Sequence, residues 1–226
     1  MKESIVSVDC CTSWAALGLA EDGVVRGEMN VDAGRRQAEI LPAMYGCLLE
    51  SCSRRPEEVD LYGLVAGPGS FTGIKVGISF VTFLAWAGGK KVVPLSSLEC
   101  MAFERIGRTG GVAAIVLQGG GGRICGGLFT SKGGLSPLTR LMPDGAYSPA
   151  DFMDAVSAVA PNLKEVQWMT DRPEKTGRQF GEGAGFFVGV RPSGAAAAIL
   201  AHMRRQDAIP PDRVRAEYLR DPDTGA

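Results

Sequence analysis

One stretch, Gly67-Pro68-Gly69-Ser70-Phe71-Thr72-Gly73, constrains this chain more than any other. It follows an apolar, strand-like run from Leu61 to Ala66 and opens an apolar segment of helix length from Thr72 to Ala87. A strand, a glycine-rich turn and a helix N-terminus together present free backbone N–H groups and a positive helix end, which suits an anion. Neither common nucleotide fingerprint fits. A P-loop starting at Gly67 needs Gly at 72 and Lys at 73, where the chain has Thr72 and Gly73. In a G-x-G-x-x-G pattern the third glycine arrives at Gly73, one place late. The loop is of another kind, and its neighbours must say which.

Ser4 to Asp9 alternates and is rich in Val and Ile, so it reads as a strand. Ser13 to Ala20 is a second strand. The turn signal Glu21-Asp22-Gly23 leads to a third, Val24 to Val31, giving an antiparallel meander. From Gln37 to Cys52 the period becomes helical, with Ile40, Leu41, Met44 and Leu48 on one side and Cys47 beside them. Pro42 is tolerated only in a first turn, which places the start of the regular helix at Gln37–Leu41. Lys91 to Pro94 reads as a strand. Ser96 and Glu99 form a capping-box pattern for a helix to about Ile106.

The pattern then restarts. Val112 to Leu117 and Ile124 to Thr130 read as strands joined by Gly119–Gly122, and Leu135 to Met142 as another. Pro149 to Val159 reads as a helix, Glu165 to Met169 as a strand, and Asp171 to Gly189 as loop. Ser193 caps a helix to Arg205. The tail from Ile209 is rich in Pro and charge, and disorder is expected beyond Arg220. The expected fold is α/β, two mixed sheets flanked by helices. The first lobe is 1–107 and the second 108–226, with the helix near 193–205 packing back on the first.

The 226 residues carry a net charge of −1, which argues against direct binding to nucleic acid. Arg204, Arg205, Arg213, Arg215 and Arg220 are interrupted by acids and read as solvated surface. No leader segment is read at Met1–Ser4. The longest apolar run, Val76 to Ala87, is too short to span a bilayer. Six cysteines without a C-x-x-C pair fit reduced thiols in a cytoplasm. The one histidine, His202, excludes a zinc site of ordinary spacing and a Ser/His triad with Ser70 or Thr72. Capping of the next helix accounts better for Ser70 and Thr72.

The chain resembles the bacterial TsaB (YeaZ) family. The residues that carry this are Ile5-Val6-Ser7-Val8-Asp9 with Thr12, Glu39-Ile40-Leu41-Pro42, the Gly67–Gly73 loop running into Ile74-Lys75-Val76-Gly77, and Pro94-Leu95-Ser96-Ser97-Leu98-Glu99. The match covers roughly the first hundred residues. Tyr218-Leu219-Arg220 is similar to a C-terminal tyrosine–arginine motif.

The resemblance implies the actin-like ATPase and sugar-kinase superfold, here with a reduced second lobe. It also implies a non-catalytic role in tRNA threonylcarbamoyladenosine synthesis, beside a catalytic TsaD-like paralogue and a TsaE-like ATPase. That paralogue holds a metal through two histidines on the helix matching Gln37–Cys52, and this chain has none there. Two departures stand out. Arg35-Arg36-Gln37 replaces an Arg-Asp/Arg-His motif, and Gln118-Gly119-Gly120 replaces an Asp-Ala-Arg motif.

The helix after Gly73 carries two apolar stripes: Ile74, Ile78, Val81 and Ala85, and Val76, Phe80, Phe83, Leu84 and Ala87. A helix apolar nearly all round needs cover on two sides. The protein's own second lobe could give the second cover, or a partner could. Gly73 and Gly77 would admit another backbone closely. The partner reading makes Ile40, Leu41, Met44, Cys47, Leu48, Val76, Phe80, Phe83 and Leu84 the interface, and homodimerisation follows when the partner is absent.

Asp9 and Thr12 are either the remnant of a nucleotide site or a capped turn. No cofactor or metal and no catalytic residue is expected. The rivals are a small ATP-dependent phosphotransferase using Asp9, Thr12 and the glycine loop, and a glycoprotease-like hydrolase.

Overall fold

The computed structural model describes residues 2–181 and 186–219. The proposed disorder beyond Arg220 and the end of the Tyr218–Arg220 motif lie outside those residues. Two compact units form. One holds the residues up to Cys100 with Pro192–Glu217; the other holds Met101–Arg191 and the residues from Tyr218.

In the first unit, β1 (Ser4–Asp9), β2 (Trp14–Glu21) and β3 (Val24–Asp32) make the antiparallel meander. Then come α1 (Gln37–Ser51), β4 (Leu61–Gly67), α2 (Phe71–Gly88), β5 (Lys91–Ser96) and the start of α3 (Ser97–Thr109). The sheet order is β3-β2-β1-β4-β5, with β4 and β5 added in parallel. Successive side chains of β1 serve opposite faces. Val6 and Val8 enter a core with Leu17, Leu41, Leu48, Val81 and Ala85, beneath α1 and α2. Ser7 points the other way and donates to the Gly194 carbonyl at 2.7 Å, where α6 (Gly194–Met203) covers the second face.

The second unit has β6 (Gly111–Gly120), β7 (Arg123–Ser131), β8 (Thr139–Tyr147), α4 (Pro149–Val159), β9 (Val166–Thr170), α5 (Pro173–Phe180) and β10 (Val188–Gly189). Its order, β10-β9-β6-β7-β8, repeats the first sheet: an antiparallel meander extended by two parallel strands beside its first strand. The reduction is in β10, two residues long. Val116, Ile124, Leu128, Phe152 and Trp168 fill this core.

Four sequence expectations need correction. β8 runs past Pro143 to Tyr147 because it is an edge strand, where a missing N–H harms no ladder, and its register shifts beside Leu128. The segment read as loop after Asp171 contains α5, anchored by buried Thr176, whose hydroxyl lies 2.9 Å from that of Thr170. Pro42 sits inside α1, beyond its first turn. Pro42 and Ala38 are both exposed, so the Ala38 carbonyl that loses its helical donor is open to water. Finally, α2 is 18 residues long with a mean hydropathy of 1.4, long and apolar enough by those measures to cross a membrane. Here its Gly73, Ile74, Gly77, Val81 and Ala85 are buried within the first unit.

Candidate functional site

The Gly67–Gly73 loop is buried at Gly67, Pro68 and Gly73 and exposed at Ser70, Phe71 and Thr72. It packs on the turn between β1 and β2. The Ser70 N–H donates to the Cys11 carbonyl at 2.6 Å. A Cβ at Gly69 or Gly73 would collide with the carbonyl oxygens of Cys11 and Cys10, so glycine is required at both. The backbone that Gly73 admits is therefore the chain's own. Ser70 is the N-cap of α2: its Oγ accepts from the Gly73 N–H at 3.3 Å and its carbonyl from the Ile74 N–H at 2.9 Å. Ser97 Oγ holds the Pro68 carbonyl, and the Glu217 N–H reaches the Ala66 carbonyl at 2.8 Å. Two of the loop amides, Ser70 and Gly73, donate within the protein itself.

Asp9 faces inward and is 1% exposed; its Oδ1 accepts the Cys11 N–H at 2.8 Å, an Asx turn. Thr12 Oγ1 accepts the Trp14 N–H at 3.1 Å, and Gln37 Nε2 donates to the Thr12 carbonyl at 2.9 Å. Gln37, one of the departures from the family pattern, thus pins the start of α1 to this turn. Burial lifts the Asp9 carboxyl from 3.8 to about 6, opposed by the Cys11 hydrogen bonds, and burial with the Asp9 charge pushes the Cys10 and Cys11 thiols up. Among the described residues no three His, Cys, Asp or Glu side chains gather as a metal site.

A raised carboxylate pKa favours the folded state fully below the unfolded value, and that advantage is lost as pH rises through about 6. Keeping Asp9 ionised at neutral pH therefore costs about 3 kcal/mol. Asp9→Asn retains the turn acceptor without the charge. It is expected to stabilise the chain by about 1–3 kcal/mol at pH 7.5 and to make no difference below pH 4, read by urea unfolding at both pH values. Equal stability of variant and parent at pH 7.5 would show that Asp9 reaches solvent.

The open feature of the first unit is the outer side of α1 and α2. A groove of about 470 Å³ runs between them, walled by Ala38, Leu41, Val76, Phe80 and Phe83. Thr72, Lys75 and Ser79 form its polar side. Phe83 is 66% exposed and Trp86 75%, large apolar surfaces that a lone chain leaves in water. Phe80 is half-buried, edge-on to Tyr45 at 5.9 Å. The nine residues of the expected interface divide by depth. Phe83 and Cys47 are exposed, Ile40, Val76, Phe80 and Leu84 are half-buried, and Leu41, Met44 and Leu48 are core. Sequence reasoning missed Trp86, which lies three residues from Phe83 on the same helical face.

In the second unit, Gln118 is tied to α5: its Nε2 donates to Gln179 Oε1 at 2.7 Å and Thr176 Oγ1 at 3.3 Å. The following turn carries three residues of positive φ, Gly120, Gly121 and Gly122. His202 is half-buried beside Glu3, its Nδ1 3.2 Å from the carboxylate.

The twice-repeated meander with two parallel strands, helices on the sheets, places the chain in the actin-like ATPase and sugar-kinase superfold. The profile of the family described as "TsaD: tRNA N6-adenosine threonylcarbamoyltransferase" matches residues 28–147. The chain belongs to that family, and within it to the TsaB/YeaZ proteins. It is 29% identical to the tRNA threonylcarbamoyladenosine biosynthesis protein TsaB of Bacillus subtilis (strain 168) over 155 residues, which is 67% of this chain and 65% of that protein. It thus spans about two thirds of that relative's length.

Two solved Pseudomonas aeruginosa structures share the fold. One, described as similar to the peptidase YeaZ, has a TM-score of 0.81 at 19% identity, over 96% of this chain and all of the other. The other, YeaZ itself, has a TM-score of 0.78 at 18% identity with the same coverage.

Proposed function

We propose that the chain is a non-catalytic subunit in the synthesis of threonylcarbamoyladenosine in tRNA, binding and activating a TsaD-like catalytic subunit in the cytoplasm. The observation that carries this is the groove between α1 and α2 with Phe83 and Trp86 exposed beside it. Ile40, Cys47, Val76, Phe80, Phe83, Leu84 and Trp86 are the contact residues; Leu41, Met44 and Leu48 support them from the core. The relative named TsaB supports the pathway. The inward Asp9, which accepts the Cys11 N–H, and the Ser70 N–H, which donates to the Cys11 carbonyl, support this reading over the phosphotransferase: a nucleotide site here is vestigial. A TsaE-like ATPase joins the assembly. Without its partner the chain pairs with itself through the same apolar face.

The test is to mix the purified chain with the TsaD-family subunit of the same organism and measure mass by light scattering after size exclusion. A one-to-one complex that replaces the homodimer is expected. Absence of a complex at concentrations of about 50 μM, where even a weak specific interface would associate, would overturn the proposal.

A further inference from the structure

We propose that Lys75 is the selecting residue of this groove, and that its occupant is an amphipathic helix of the partner carrying a carboxylate opposite Lys75. This rests on the partner-binding reading above. Lys75 lies on the polar side of the groove, five residues into α2. Its ammonium sits 3.9 Å from the centre of the Phe71 ring, which holds the cation at the groove edge. Among the described residues no carboxylate forms an ion pair with it.

The other wall adds a second polar mark. Pro42 has no N–H to give the Ala38 carbonyl, and exposed Ala38 lines the same groove. The apolar contacts Val76, Phe80 and Phe83 recur every three or four residues, which a helix stripe matches. Phe83 lies eight residues beyond Lys75, about 12 Å along the axis. The occupant therefore presents its acid about two turns from the residue that meets Phe83.

A second copy of this chain fits less well. α2, Phe71–Gly88, contains no Asp or Glu, so α2 packed on α2 leaves both lysines unpaired. On α1, the Glu39 carboxylate is already held by Arg36 at 2.7 Å, and Glu50 lies about three turns further along. The groove thus tolerates its own copy on apolar contact alone and gains charge pairing from a different partner. Electrostatic complementarity of this kind separates right from wrong partners more than it adds raw affinity.

The experiment compares parent, Lys75→Met and Lys75→Glu as full chains, titrated with the TsaD-family subunit by calorimetry at 50 mM and 500 mM salt. Homodimer dissociation is measured alongside by analytical ultracentrifugation, and melting curves confirm that both variants fold. Binding to the partner is expected to weaken about tenfold in Lys75→Met, with its salt dependence reduced, and about a hundredfold in Lys75→Glu. The homodimer is expected to be no weaker in either variant. A heterocomplex of unchanged affinity in Lys75→Glu would overturn this inference and leave the partner-binding reading standing. A parent chain that forms no complex would overturn both.

Discussion

Replacing Gly73 by alanine destabilises the chain by more than about 3 kcal/mol, while the same change at Gly77, one turn along, is neutral or mildly stabilising. Both glycines lie in α2, and both substitutions gain up to about 1 kcal/mol of intrinsic helix propensity. They differ in what the added methyl meets. At Gly77 it would touch Leu64 Cδ1 at 3.6 Å and Cys10 Cβ at 3.7 Å, ordinary packing distances. At Gly73 it would strike the Cys10 carbonyl oxygen, a backbone atom in a turn fixed by Asp9, Thr12 and Gln37. Neither side has a flexible end that could yield. Urea unfolding of the pair isolates the clash, because propensity cancels between them. Equal stability of the two variants would show that the loop and the β1–β2 turn are not seated on each other.

That contrast also shows how far the sequence could be read. The five strands of the first unit followed from alternation and turn chemistry, since β-branched runs bounded by Asp22-Gly23 and the Gly67 loop have few other solutions. The two stripes of α2 were visible as well: Ile74, Val81 and Ala85 of the first are buried, and Phe83 of the second is exposed. What spacing could not give was depth. Leu41, Met44 and Leu48 form as good an apolar stripe as any interface, and they pack on the sheet because α1 lies flat across β2 and β3. The i, i+3 step from Phe83 to Trp86 continues the exposed face, whereas the apolar stripe read from spacing runs through Leu84 to Ala87. α5 was hidden for another reason. Its mean composition is polar, and Thr176 on Thr170, Phe180 on Phe187 and Gln118 reaching across from β6 hold it in place. Such long-range anchoring leaves no local periodic trace.

The candidate site was legible in part. The motif located the loop, and its chemistry suggested an anion cradle. In the structure the Ser70 N–H goes to the Cys11 carbonyl, and the Asp9 carboxylate caps a turn. Function has to be sought where apolar surface remains uncovered, and in the first unit the most exposed aromatic side chains, Phe83 and Trp86, lie on the outer side of α2.

Phe83→Asp is accordingly the variant with the largest expected effect on assembly. Phe83 is 66% exposed in the free chain, so its replacement costs the fold little, and the melting temperature is expected to stay within about 2 °C of the parent. In the complex the same position would place a carboxylate against an apolar wall with no cation but Lys75 on its own helix. Losing an aromatic anchor costs at least about 2 kcal/mol, and burying an unpaired charge adds several more. Affinity for the TsaD-family subunit should fall by about a thousandfold or beyond detection, and the homodimer should dissociate with it. Phe80→Asp makes a useful contrast. Phe80 is half-buried against Tyr45, so that variant is expected to lower the melting temperature as well as the affinity, mixing two effects that Phe83→Asp keeps apart. A Phe83→Asp chain that is folded and still binds within about tenfold of the parent would remove the α1–α2 groove as the partner surface.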